Sequence, residues 1–240
     1  MRAEYLEKSQ VDDLLAYLDR TDREKMYLCV ALMVCSGLRL SECHALSAPD
    51  LDLENSEAYL RWTKRDKPRV VPVAPWLVDR LRNYLKYNRE GVLERDRAFA
   101  RYVEKARPRL QAAALKMLPE ESYQTAGGRT RKGSVLRAEY VHKELMRELR
   151  PLPSPLFEMK YYSIQRGIER LPAALGWSFD LSPHTLRHTF SRDWLQQGGD
   201  LVQLSQILGH SSVAITGDVY GRFNNRSIKE AYNRLMGARR

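Results

Sequence analysis

No stretch of this chain is long and apolar enough to span a bilayer. The longest apolar run, Met26 to Leu38, contains cysteine and serine and falls well short of the roughly 20 residues a membrane helix needs. It reads as a buried helix. The N-terminus, MRAEYLEKSQ, is charged and has no signal-peptide pattern. Cysteine is scarce: Cys29, Cys35 and Cys43 all lie in or beside the same apolar segment. An odd count without a secretory signal argues for a reducing compartment, and all three read as small core residues. Cys43-His44 lacks zinc-ligand spacing, and no second pair lies near it. No carboxylate cluster suited to Mg²⁺ and no glycine-rich nucleotide loop occurs. No metal or cofactor is therefore expected. Internal repeats and low-complexity tracts are also missing.

Positive charge is abundant. Among 240 residues, 40 Lys and Arg outnumber 30 Asp and Glu, a formal net charge of +10. Such a balance favours a polyanionic partner, most often nucleic acid, with an anionic membrane surface as the weaker reading. The length suits one large domain or two small ones, and 43% hydrophobic residues suffice for a core.

The chain is organised around Leu181 to Gly221. Ser182-Pro183 is a helix start: serine caps, and proline suits the first helical position. His184 and Arg187 follow at i, i+3 and project from one helical face. Gly198-Gly199 breaks that helix. Asp200 caps the next, with Leu201, Leu204, Ile207 and Leu208 at helical spacing. Gly209 ends it, and His210 sits just past the end. Ser211 and Ser212 are expected to cap one more short helix, with Val213, Ile215 and Val219 inward and Tyr220 near its end.

Upstream, Val11 to Leu18 and Asp22 to Ser36 read as helices. Gly37 permits a tight turn, and Arg39 follows, with Glu42 at i+3. Two readings stand: a surface ion pair, worth little, or an arginine held at the core's edge with Glu42 fixing its guanidinium. Asp50 to Leu53 is a possible first strand. Glu57 to Thr63 and Arg69 to Val73 read as hairpin arms, joined by the basic tip Lys64-Arg65-Asp66-Lys67-Pro68. That tip is either a solvated turn or a mobile arm bringing a lysine to a phosphate. A lysine ammonium can give up its proton, whereas an arginine does so far less readily. Trp76 to Tyr87 is an amphipathic helix. Residues 88–152 then carry 15 Lys or Arg against 9 Asp or Glu. Two helical stretches, about Arg95 to Leu118, interrupted or kinked at Pro108, and Ser134 to Leu149, flank the loop TAGGRTRKG. Its Arg129, Arg131 and Lys132 suit a phosphate backbone, and a solvated basic hairpin is the alternative. Pro151, Pro153 and Pro155 make a stiff connector. Tyr161 to Leu175 is a helix, and a final amphipathic helix follows Tyr220.

Together the segments SGLRLSE, TKRDKPRVVPV, LSPHTLRHTF and LGHSSVAITGDVYG resemble the catalytic domain of the tyrosine recombinases, the integrase and Xer-like family. The resemblance covers about Glu4 to Tyr87 and Pro155 to the C-terminus. It implies a mainly helical domain with a small antiparallel sheet. It also implies DNA strand cleavage and rejoining through a covalent 3′-phosphotyrosine, without metal or ATP. Carried over by residue, Tyr220 is the nucleophile, and Arg39 and Arg187 clamp the scissile phosphate. Lys64 is the general acid for the 5′-hydroxyl, and His184 the acid–base partner of the tyrosine. His210 hydrogen-bonds the phosphate, and Glu42 supports the first arginine. Arg65, Lys67, Arg129, Arg131 and Lys132 are the expected DNA contacts.

These implications set the remaining expectations. Residues 1–240 form a single catalytic domain with a basic, mainly helical insertion at about 88–152 and no separate N-terminal clamping domain. The protein is cytoplasmic and nucleoid-associated. Its partners are double-stranded DNA and copies of itself, as a tetramer on DNA. The setting is a mobile element, virus, plasmid or chromosome-resolution system. Two other readings remain: a type IB topoisomerase-like nicking-closing enzyme, and a DNA-binding relative without catalysis.

Overall fold

The structure, a computed structural model, describes residues 4–64, 67–118, 121–124 and 130–210. Its elements run α1 (Lys8–Arg20), α2 (Glu24–Ser36), α3 (Leu40–Ala45), a single 3₁₀ turn (Ala48–Asp50), β1 (Leu51–Asp52), β2 (Glu57–Leu60), β3 (Arg69–Pro72), α4 (Pro75–Met117), β4 (Tyr123–Gln124), β5 (Thr130–Arg131), α5 (Gly133–Leu149), α6 (Tyr161–Leu175), α7 (Pro183–Gln196) and α8 (Leu201–Leu208). Helix dominates, as expected, with a small antiparallel sheet in the order β1-β2-β3. Leu51 faces Ala58 and Asp52 faces Glu57. Along β2, exposed and buried residues alternate, the period of a half-buried strand. No described helix is long and apolar enough to cross a membrane.

Two compact units divide the chain. The first takes Met1–Leu40, Val71–Leu77 and Gln165–Arg240; the second takes Ser41–Val70 and Val78–Ile164. In the first unit, α2 is buried on every side from Met26 to Val34, as an all-apolar helix must be. It packs on α1 and α7. Phe190 and Leu195 of α7 close a small cluster with Leu204 and Leu208 of α8. Local chemistry sets the ends of these helices. Ser182 accepts from the Thr185 N–H at 3.2 Å, and Asp200 accepts from the Val202 and Gln203 N–H groups. These are N-caps at the residues the sequence marks.

In the second unit, α4 and α5 pack through Phe99, Val103, Leu110, Val141, Leu145 and Leu149. Here the structure corrects the sequence reading. The helix expected over Trp76 to Tyr87 and the one over Arg95 to Leu118 are a single helix, Pro75–Met117. The polar run Asn88-Arg89-Glu90 and Gly91 do not break it. Leu77, Leu81, Tyr84, Val92, Phe99, Val103, Ala106, Leu110 and Ala114 are all buried, at spacings that return the apolar row to one face, with Asn88 and Arg95 half-buried in its gaps. That row outweighs the roughly 1 kcal/mol cost of one internal glycine. The strands β4 and β5 were also not foreseen; they pair antiparallel, Tyr123 opposite Arg131.

Candidate functional site

Arg187 is the centre of the site. It is 5% exposed, and its guanidinium is held by main-chain carbonyls at the ends of two other helices. Nη1 donates to the Gly37 carbonyl at 2.5 Å. Nη2 donates to the Leu208 carbonyl at 2.6 Å and lies 3.4 Å from His210 Nε2. Gly37 caps α2 and Gly209 caps α8, both in the left-handed conformation with φ of 65° and 64°. The last carbonyls of a helix have no partner within it and carry its negative dipole end. A buried cation satisfies both conditions. Gly37 has a second reason to be glycine: a Cβ there would meet Phe190 Cδ1 at 2.6 Å and Leu208 Cδ2 at 3.1 Å.

These bonds bring Arg187 and His210 together. Arg39 is half-buried in the extended segment between Gly37 and α3. Two residues of chain hold its Cα within about 7 Å of that of Gly37, whose carbonyl accepts from Arg187. His184 is exposed one turn before Arg187. His210 is half-buried, with its own N–H donating to the Ser205 carbonyl at 3.0 Å. Ser191 Oγ donates back to the Arg187 carbonyl at 3.0 Å, tying the next turn of α7. The fixed Arg187 guanidinium and the His210 imidazole thus meet, with His184 three residues before Arg187 on α7; a guanidinium and an imidazole side by side can hold an anion.

His188, one residue past Arg187, was not singled out from the sequence. Burial lowers its pKa, and the charges of His184 and Arg187 lower it further. The Glu4 carboxylate acts against this shift. Its position four residues after His184 was the available signal.

The other expected residues that are described lie in the second unit. Lys64 is exposed in the hairpin tip, as is Lys67. Glu42, 3% exposed, receives both prongs of the Arg69 guanidinium at 2.8 and 2.9 Å. The sequence reading assigned Glu42 to Arg39 and did not name Arg69. Lys132 is exposed, and Arg131 donates to Glu139 at 2.7 Å. Arg65, Arg129 and Tyr220 lie outside the described residues, as do the last two expected helices. Cys29 and Cys43 are buried. The Cys35 thiol is pushed up to about 12, by burial first and by Asp193 second. No described group of three or more His, Cys, Asp or Glu side chains is placed to hold a metal ion.

The architecture is that of tyrosine recombinase catalytic domains. It matches the crystal structure of XerA recombinase with a TM-score of 0.60 at 24% identity, covering 98% of this chain and 66% of that one. The catalytic domain of bacteriophage HP1 integrase matches with a TM-score of 0.53 at 21% identity, over 97% of this chain and 95% of that one. XerH site-specific recombinase bound to its palindromic difH substrate matches at 0.57 and 18%, over 95% and 52%.

The chain belongs to the phage integrase family, whose model matches residues 4–139 and 155–226. The first matched segment thus continues well past Tyr87, into the basic region. Tyrosine recombinase XerA of Thermococcus kodakarensis is 25% identical over 226 residues. That alignment takes in 94% of this chain but only 60% of the XerA sequence.

Proposed function

We propose that this protein is a site-specific DNA recombinase that cuts and rejoins strands through a covalent 3′-phosphotyrosine. The Tyr220 hydroxyl oxygen forms a bond to the scissile phosphorus as the bond from phosphorus to O5′ breaks. The tyrosine proton passes to His184, and a proton from Lys64 ends on O5′. Arg39 and Arg187 hold the non-bridging oxygens while negative charge gathers on them, and His210 donates a further hydrogen bond. The phosphotyrosine keeps the energy of the original linkage, so a 5′-hydroxyl from a partner strand reverses the step without ATP. Glu42 supports the segment that carries Arg39. Double-stranded DNA is the substrate, and four copies act together on paired sites.

One observation carries this reading: the buried Arg187 guanidinium fixed by the Gly37 and Leu208 carbonyls beside His210. A tyrosine hydroxyl titrates near 10 and needs an acceptor and a positive field to attack a diester. A guanidinium held in place before reaction supplies that field with no reorganisation.

The test is a duplex with a nick beside the cleavage site, built from the DNA that flanks the gene. Loss of the short fragment after cleavage traps the protein on the DNA. A covalent adduct that disappears in Tyr220→Phe is the expected result. No adduct on any flanking site would overturn the reading in favour of a binding protein without catalysis. Exchange between two labelled duplexes then distinguishes a recombinase from a topoisomerase-like enzyme, which seals only its own strand.

A further inference from the structure

The hairpin that carries Lys64 is built more tightly than a solvated turn requires. Thr63, 6% exposed, immediately precedes Lys64. Its Oγ1 donates to the Lys67 carbonyl at 2.9 Å and accepts from the Lys67 N–H at 2.9 Å. One hydroxyl therefore closes the neck of the tip in both directions. Pro68 follows, with its φ fixed by the ring. Arg69 then opens β3 and pairs with Glu42 of α3, in the same unit. The two side chains are only 9% and 1% exposed. A buried pair of this kind is weak evidence for stability, but its two parallel hydrogen bonds join β3 to α3 in a defined geometry. The hairpin's returning arm is pinned at its root, and its neck is locked one residue from the lysine.

We propose that Thr63 is a positioning residue for the Lys64 ammonium, with the Arg69–Glu42 pair as its footing. This rests on the reading of Lys64 as the general acid. Proton delivery to O5′ is sensitive to placement, since a displacement of about 1 Å can cost roughly a hundredfold in rate. Only a hydroxyl donates and accepts at one atom, and the β-branch of threonine stiffens its χ1. Valine keeps the shape and loses both bonds. Lys67 is exposed, so water can reach the main-chain groups that valine leaves, and a thermal melt of Thr63→Val checks that the fold is kept.

The experiment compares two single-turnover cleavage substrates. One has the ordinary P–O5′ linkage. The other has sulfur at that bridging position, and its leaving thiolate needs no proton because thiols titrate near 8.5. Thr63→Val should slow the oxygen substrate about tenfold or more and leave the sulfur substrate within about twofold of the parent, while Thr63→Ser restores the oxygen rate. Arg69→Lys, which keeps the charge but not the fork, should show the same selective loss. A control, Lys64→Ala, should lose roughly 10² to 10⁴ on oxygen and recover on sulfur. Equal losses on both substrates in Thr63→Val, or no loss on oxygen, overturn the inference. If Lys64→Ala recovers on sulfur and Thr63→Val does not, the positioning role alone fails. If Lys64→Ala does not recover, the assignment of the lysine fails and this role falls with it.

Discussion

Arg187 is 5% exposed and donates to main-chain carbonyls at the ends of α2 and α8, whereas Lys64 stands exposed at a hairpin tip closed by one threonine hydroxyl. The first cation is anchored in the core of its unit; the second is presented from a turn. In the proposed reaction the two have different tasks. Charge develops on phosphate oxygens at one place, so the stabilising guanidinium works best when it is already fixed there. A proton donor must meet a leaving oxygen and then part with its proton, which suits an ammonium on a short lever and not a guanidinium.

Removing the anchored cation should have the largest effect. Arg187→Ala is expected to lower covalent adduct formation by roughly 10³-fold or more, about 4 kcal/mol. DNA affinity should stay within about tenfold, about 1.4 kcal/mol. The change also strips a donor from two carbonyls, at about 1–3 kcal/mol for each one left without a partner, so the melting temperature should fall too. Adduct yield and affinity measured on one preparation check this. Affinity lost with chemistry intact would reverse the contrast with Lys64.

Gly37→Ala attacks the same anchor from its far side. The left-handed backbone costs a non-glycine residue about 1–2 kcal/mol. The new methyl would also press on Phe190 and Leu208, and overpacking adds about 1–3 kcal/mol. Urea unfolding should show a loss of about 3 kcal/mol, with adduct formation falling because the Gly37 carbonyl moves. An unchanged unfolding midpoint would mean that the α2–α7 approach is looser than the structure shows.

These two sites also show what the sequence discloses and what it hides. The start of α7 at Ser182, the start of α8 at Asp200 and the glycine stops at 37 and 209 were all legible, because each depends on the chemistry of a few adjacent residues. The partners of Arg187 were not. They are backbone carbonyls 150 and 21 residues away, and any residue type offers such an acceptor. Glu42 shows a second limit. With 40 Lys and Arg in the chain, spacing pointed to Arg39 but could not disclose Arg69, which the fold brings from β3 to the same carboxylate. The length of α4 was in principle readable. Its buried apolar residues return to one face on both sides of Arg89, but the half-buried Asn88 and the polar surface of that turn concealed the continuity.

The second unit has its own buried cation-forming group, and it behaves in the opposite sense to Arg187. His44 is fully buried, and burial lowers its pKa to about 4, against an ordinary 6.5. Its Nε2 lies 3.3 Å from the Leu152 carbonyl, its Nδ1 has no partner, and its ring meets Tyr161 edge-on at 5.7 Å. The unfolded chain takes up this proton below about 6.5 and the folded chain only below about 4. Stability is therefore intact above 6.5 and falls as the pH drops towards 4, by about 3 kcal/mol at the limit. Burial raises the pKa of Asp50, Asp96 and Asp193, which acts in the other direction. The difference between the parent and His44→Gln isolates the histidine. Urea midpoints from pH 4 to 7 should slope more steeply with pH in the parent than in the variant. Equal slopes would place the acid sensitivity elsewhere.

The smallest expected effect concerns cations that bind without taking part in chemistry. If the basic region grips the DNA backbone, replacing Arg129, Arg131 and Lys132 with glutamine should weaken binding and flatten its salt dependence, by about 0.9 in log–log slope for each phosphate no longer neutralised. The three need not contribute equally. Arg131 already donates to Glu139 at 2.7 Å, and that carboxylate competes with any phosphate, so Arg131→Gln alone should change the slope less than Lys132→Gln. Adduct yield at saturating protein should stay near the parent's, the reverse of Arg187→Ala. A slope and affinity untouched by the triple change would remove this region from the DNA interface. A triple variant that binds normally but forms no adduct would erase the division between cations that hold DNA and cations that act on it.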